Sequence, residues 1–181
     1  FNQMGARQGA GAVYLNVLHP DFETLLDSKK INADEKIRLT TLSIGAIIPD
    51  KFMELAEKNE NCYAFYPHSI YQKYGVHLDE IKMDEWYDKL AQDDEIEKKE
   101  INPRELLTRI AQTQQESGYP YVVFIDSANQ QHTLKDVGMI KMSNLCCEIF
   151  QYQTPSDIKG YGQVSDWGQD ISCNLGSLNI A

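Results

Sequence analysis

Apolar positions fall into short blocks whose spacing changes along the chain, and the changes mark its elements. Residues 13–17 form a compact apolar run of strand character. Pro20-Asp21 then opens a helical segment through Leu25 and Leu26, closed by Lys29-Lys30, where cations suit the negative end of the helix dipole. Residues 41–48 make a second β-rich run, stopped by Pro49. Asp50 is placed to cap a helix with Phe52, Leu55 and Ala56 on its inner face. Asn102-Pro103-Arg104-Glu105 spells a further helix start: an Asn cap, Pro at the first helical position and Glu three residues after the cap. Its apolar face is Leu106, Leu107, Ile110 and Ala111, and Gly118 ends it. Residues 121–125 are apolar without alternation, as in a buried strand. Between these blocks, residues 83–100 are rich in acids and lysines and read as a solvated helix and turn. Residues 156–169, rich in Gly, Asp, Ser and Gln, read as a surface loop.

Strand, helix and strand in this order predict an α/β fold with parallel pairing through helical crossovers. A length of 181 residues corresponds to one domain, and neither internal repeats nor an interdomain linker interrupt it. The formal charge of −10 argues against DNA or RNA as a partner, because nucleic-acid binders concentrate Lys and Arg. A small nucleotide stays compatible, since a few backbone N–H groups can hold a phosphate without net positive charge. Four cysteines without repeated spacing give no disulfide framework and favour a reducing, cytoplasmic compartment. The longest apolar runs fall far short of the roughly 20 residues of a membrane helix, so no membrane partner is expected.

Chemistry concentrates in Ser143-Asn144-Leu145-Cys146-Cys147-Glu148-Ile149. In an extended backbone alternate residues share a face. Asn144, Cys146 and Glu148 would then converge on one volume, offering an amide, a thiol and a proton acceptor, while Leu145, Cys147 and Ile149 turn into packing. The alternative is that Asn144 and Glu148 hydrogen-bond the loop backbone. Adjacent thiols on an extended strand diverge, and no other Cys or His stands at metal-ligand spacing, so no metal site is expected. Cys62 reads as structural. His19, His68, His77 and His132 are scattered and receive no catalytic role. The Gly-rich opening does not match the dinucleotide or P-loop patterns.

The string N-L-C-x-E-I resembles the finger loop of the ribonucleotide reductase large subunit. Two more segments, in the right order, are similar to the same family. The opening Gln3-Met4-Gly5-Ala6-Arg7-Gln8-Gly9-Ala10-Gly11-Ala12-Val13-Tyr14-Leu15 resembles the loop between effector site and substrate base with the strand it feeds. Ser172-Cys173-Asn174-Leu175-Gly176-Ser177-Leu178-Asn179 resembles the strand that carries one of two reducing cysteines. The contexts Ile31-Asn32-Ala33-Asp34-Glu35-Lys36 and Tyr119-Pro120-Tyr121 are similar to class Ib enzymes.

The resemblance implies a ten-stranded α/β barrel with a central finger loop, incomplete here: residues 1–181 would be one fragment of that catalytic barrel. Within it, residues 1–12 would be the effector and substrate loop, 143–149 the finger and 172–180 a strand with a redox cysteine. By the same resemblance Cys146, as a thiyl radical, removes the 3′-hydrogen of a ribonucleoside diphosphate, Glu148 takes the 3′-hydroxyl proton and Asn144 holds the hydroxyls. Cys173 would be a reducing cysteine whose partner lies upstream of Phe1. Gln3, Arg7, Gly9 and Ala10 would face substrate base or dNTP effector. No cofactor is expected on this segment. The implied partners are the rest of the large subunit, a metal-containing small subunit that supplies the radical, and a thioredoxin- or glutaredoxin-like dithiol reductant. Both chain ends look like cuts through a larger fold, as in a split-gene product, an intein-flanked piece or a truncation, and the isolated chain is expected to be inactive. Two rivals are a non-catalytic assembly piece of a split reductase and a thiol redox or metal-binding module.

Overall fold

A computed structural model describes residues 3–6, 8–173 and 176–180. Its centre is a parallel sheet of β1 (Ala12–Asn16), β2 (Ser43–Ile48) and β5 (Tyr121–Phe124), in the order β1-β2-β5. Val13 pairs with Ile44, Leu15 with Ala46 and Ile47 with Val123. All six residues of β2 are buried, which a strand needs when both neighbours are bonded and both faces are covered. The crossovers run through α1 (Phe22–Asp27) after β1 and through α2 (Asp50–Lys58) to α5 (Pro103–Ser117) between β2 and β5. Between α2 and α5 lie an antiparallel pair, β3 (Cys62–Phe65) with β4 (Lys98–Ile101), and two helices, α3 (Pro67–Tyr74) and α4 (Met83–Gln92). Helix α6 (Ile125–Gln131) leaves β5 directly, and a hairpin, β6 (Asp157–Gly160) and β7 (Gln163–Asp166), lies towards the C-terminus. The α/β expectation and the parallel crossovers hold; among the described residues the sheet does not close into a barrel.

The core explains the helix boundaries. Phe22 and Leu26 of α1, Phe52 of α2, Phe65 of β3, Ile70 of α3, Leu90 of α4 and Leu106 and Ile110 of α5 form one buried cluster. Asn102 caps α5 as expected: its side chain accepts from the Glu105 N–H at 3.0 Å, and Gly118 stops the helix at a left-handed φ of 77°. Ala111, however, is exposed, and Thr113 takes the buried position. Asp50 is the first helical residue rather than the cap. Its backbone N–H donates to the Asp126 carboxylate on α6 at 2.8 Å, so a distant element satisfies that orphan donor.

Other expectations need correction. The acid- and lysine-rich stretch buries Met83, Tyr87 and Leu90 on one side of α4, and its end pairs as β4 instead of turning freely. In β5 only Val123 is fully buried, and Phe124 is 47% exposed, because the strand has one bonded neighbour and gives way at once to α6. The predicted surface loop at 156–169 folds back as the β6–β7 hairpin, with Gly162 at φ 71°. Residues 172–173 and 176–180 form no strand: the other described strands offer them no pairing partner.

Helix α1 is clamped to α5 by Arg109, which donates to Glu23 and, at 2.8 Å, to Asp27; Lys99 also reaches Glu23 at 2.5 Å. The Lys99 hydrogen bond, helped by Arg109, holds the Glu23 carboxyl below its ordinary range. Burial opposes the same shift at Asp27, but hydrogen bonds from Lys30 and Arg109 outweigh it. Carboxyls that ionise more readily in the folded chain stabilise it above their unfolded values, about pH 4, and that contribution disappears as pH falls through the lowered folded values. Arg109→Met should therefore lower the thermal midpoint at pH 7 by about 2 °C, a small shift because the pairs are partly solvated. At pH 3 the two midpoints should converge in thermal scans of the protein; a gap that widens in acid would refute the clamp.

Candidate functional site

The carboxyl ends of β1 and β2 border a cavity of about 290 Å³, walled by Asn16, His19, Ile47, Ile125, Met139 and Met142 among others. Open parallel sheets offer such crevices where their strands end. The 139–142 wall leads straight into the thiol-bearing loop, and side chains replace regular structure in holding that wall. Asn129 of α6 donates to the Ile140 carbonyl at 3.1 Å and accepts from the Ile140 N–H at 2.7 Å. Lys141 pairs with Asp79 at 3.0 Å and Glu80 at 3.3 Å. Burial lowers the proton affinity of His19, whose Nδ1 accepts from the Asp21 N–H.

The loop itself is a set of nested closures. At its base the Tyr152 ring lies on Gly138, where an added Cβ would come within 2.1 Å of ring carbon. Further in, the Ser143 hydroxyl donates to the Ile149 carbonyl at 2.7 Å. At the tip the Cys147 N–H donates to the Asn144 carbonyl at 3.1 Å, and Cys147 adopts φ 62°. Residues 144–147 are thus a turn with Leu145 and Cys146 at its corners. The Asn144 side-chain oxygen accepts from the N–H groups of Glu148 and Ile149, both at 3.0 Å. Asn side chains template tight turns in this way.

This geometry overturns the extended-strand expectation, because same-face alternation lapses once the backbone turns. Asn144 is half-buried and its carboxamide oxygen belongs to the loop. Cys146 and Glu148 are exposed. Leu145 is exposed instead of packed, whereas Cys147 and Ile149 are half-buried as expected. Tyr14 reaches the same turn from β1, its hydroxyl donating to the Asn144 carbonyl at 2.6 Å. Burial and the neighbouring Cys147 thiol push the Tyr14 phenol well above its usual range, so it stays a donor. Tyr14, Asn129 and Lys141 escaped the sequence reading. Gly45 held the signal for Tyr14, since a glycine inside an apolar strand marks a close approach.

The remaining expected residues lie apart from this turn. Cys173 is exposed in an irregular segment. Gln3 begins a short 3-10 turn, Gln3–Gly5, with Met4 at φ 57° and Gly5 at φ 83°. Gly9 and Ala10 are exposed immediately before β1, and Arg7 lies outside the described residues. All four cysteines are free, and Cys62 is fully buried, with its thiol pushed up to about 12 by burial, which suits a packing role. Among the described residues one acidic group, Asp50, Asp84 and Asp126, brings oxygens within 4.8 Å of one another, but Asp126 is already committed to the start of α2. No described cysteine joins such a group.

Comparison with known proteins gives this arrangement a family. The family model for the ribonucleotide reductase barrel domain matches residues 1–181. The chain is 51% identical over 179 residues to the ribonucleoside-diphosphate reductase subunit alpha of Bacillus subtilis (strain 168), covering 99% of this chain and 26% of that protein. It is 48% identical over 180 residues to the subunit alpha of Mycoplasma genitalium, covering 99% of this chain and 25% of that one. The similarity to the NrdEB subunit alpha of Bacillus phage SPbeta is 50% over 145 residues, 80% of this chain and 13% of the phage protein. The chain therefore spans about a quarter, or less, of the relatives it matches. A match along its full length, on an α/β sheet with a cysteine loop tied to β1 through Tyr14, shows that the chain belongs to the ribonucleotide reductase barrel-domain family.

Proposed function

We propose that this chain is a catalytic-core segment of a class Ib-like ribonucleoside-diphosphate reductase large subunit, with Cys146 as the residue that carries the radical. The observation behind this reading is the placement of Cys146 at the corner of a loop held at every level by side chains, within a sequence that follows the reductase alpha subunits throughout. Fixing one thiol on such a loop suits an abstraction that depends on distance. The Cys146 thiyl takes the 3′-hydrogen of the ribose and becomes a thiol, while Glu148 accepts the 3′-hydroxyl proton; once the 2′ position is reduced, Cys146 gives the hydrogen back to C3′ and is a thiyl again, and Glu148 returns its proton. Replacing the 2′-hydroxyl by hydrogen consumes two electrons and two protons and releases water. Cys173 and a second cysteine outside this chain supply them and become a disulfide.

In this reading Asn144 has two parts to play: its side-chain oxygen shapes the turn, and its amide nitrogen is left to meet the ribose hydroxyls. Exposed Cys146 and Glu148 await cover from the rest of the large subunit. The radical arises on a metal-containing small subunit, and a thioredoxin- or glutaredoxin-like dithiol regenerates Cys173. Gln3, Arg7, Gly9 and Ala10 face a dNTP effector or the substrate base. A cytoplasmic setting fits four free thiols, and among the described residues no helix is long and apolar enough to cross a membrane.

Two measurements on the full-length subunit, paired with its small subunit, test these roles. Cys146→Ser should abolish both CDP reduction and isotope exchange at C3′, whereas Cys173→Ser should end multiple turnover yet keep the exchange. Exchange surviving in Cys146→Ser would remove that residue from the radical step. Hydrogen exchange addresses Asn144: Asn144→Ala removes the acceptor of two N–H groups, a loss of about 0.5–1.5 kcal/mol for each bond. The amides of Glu148 and Ile149 should then exchange about tenfold faster or more, while Asn144→Asp, which keeps an acceptor, retains protection. Equal protection in the Ala variant would deny Asn144 its role in the turn.

A further inference from the structure

A single row across the sheet runs from Tyr14 on β1 through Gly45 on β2 to Tyr121 on β5, each directly opposite the next. Gly45 has no side chain, and the space is taken by its neighbour: a Cβ there would come within 2.3 Å of two Tyr14 ring carbons. The Tyr14 ring thus occupies the space over Gly45 that a side chain there would fill. That posture carries its hydroxyl to the turn 130 residues later in the chain, where it meets the Asn144 carbonyl at 2.6 Å. The same carbonyl accepts the Cys147 N–H that closes the turn. Two donors from different directions fix the orientation of that peptide, and Cys146 lies inside the turn it begins.

We infer that Tyr14 is a positioning residue for Cys146, seated in the slot left by Gly45 and aiming the thiol through the Asn144 carbonyl. The inference rests on the radical role proposed above for Cys146, which it deepens. The other closures described come from within the loop's own stretch of chain, Ser143 to Ile149, Asn144 to 147–149 and Tyr152 on Gly138, or hold the wall that leads to it, Asn129 on Ile140 and Lys141 on Asp79 and Glu80. These closures set the shape of the loop. Tyr14 ties that shape to the central sheet. Burial keeps its phenol protonated, so the tie does not lapse over the neutral range. A misplacement of about 1 Å at a reacting atom can cost on the order of 10²-fold in rate. Loss of the hydroxyl should consequently appear in the chemical step and leave substrate binding alone.

The test uses the full-length subunit containing this segment, alone for labelling and with its small subunit for turnover. Tyr14→Phe removes the hydroxyl and keeps the ring in its slot, so folding is preserved. The rate at which iodoacetamide alkylates Cys146, read by peptide mass mapping, reports the hold on the thiol whether or not the protein is a reductase. It should change at least threefold in Tyr14→Phe while alkylation of Cys173 stays the same. In turnover with CDP, kcat should fall about tenfold or more with KM within twofold of wild type. Gly45→Ala should displace the ring and give a similar loss, and the double variant should be little worse than either alone, as expected for groups acting through one contact. An unchanged Cys146 alkylation rate, or wild-type kcat in Tyr14→Phe, overturns the inference. A loss confined to KM or to thermal stability overturns it as well, leaving Tyr14 a packing residue. Failure of the reading beneath it looks different: the wild-type pair would not reduce CDP, or Cys146→Ser would remain active, and the alkylation result would still decide whether Tyr14 holds the thiol.

Discussion

The burial of β2 on both faces and both edges is the constraint from which the rest of the structure follows. A strand with six buried positions has no tolerance for a misplaced side chain, and each neighbour must fit against it. Its apolar residues seat α1, α2 and α5 through the common core, and its pairing fixes the register of β1 and β5. Gly45 is the exception in the strand, and it is used: the missing side chain admits the Tyr14 ring. The same strand ends at Pro49, where the chain enters α2 and the cavity opens. Packing of the sheet and the seat of the Tyr14 ring are in this way set by one run of six residues.

Away from the sheet, the molecule solves a backbone accounting problem with side chains. Residues 132–156 contain neither helix nor strand, so their N–H and C=O groups need other partners. Asn129 serves Ile140 on both its donor and its acceptor, Asn144 takes two N–H groups, the Ser143 hydroxyl donates to one carbonyl and the Tyr14 hydroxyl to another. Each is a short or rigid polar group that loses little freedom when fixed. An irregular loop held this way keeps a defined shape without the bulk of a helix, which leaves Cys146 exposed at a corner.

Much of the fold was legible in the sequence because local signals and tertiary packing agree there. The parallel order of strand and helix, the Asn102 cap, the Gly118 stop and the inner face of α2 all follow from short-range patterns. Legibility failed where the deciding partner is remote. Asp50 reads as its own cap until Asp126, 76 residues on, is seen to accept its N–H. Residues 172–180 read as a strand, yet strand character is only realised against a neighbour. The site divides in the same manner: the segment around Cys146 was legible as a distinct polar stretch, but the face Cys146 shares was not, since Asn144 bends the backbone that the alternation rule takes to be straight.

That bend changes how the trio can work. On a straight strand Asn144, Cys146 and Glu148 would be fixed relative to one another by the pleat alone, and the site would be finished within the segment. In the turn, Asn144 is half-buried and bonded inward while Cys146 and Glu148 stand exposed. A carboxylate in water is a weak base for a ribose hydroxyl, and a thiyl radical in water is readily quenched. Both become effective only when water is excluded and the low-dielectric surroundings raise the proton affinity of the carboxyl. In the proposed chemistry the segment thus contributes shape and aim, whereas dryness comes from what packs over the loop. In the reading proposed above, this chain, which spans about a quarter of the length of its relatives, carries the thiol and the scaffold that orients it, and the enclosure in which such chemistry runs comes from the remainder of the large subunit.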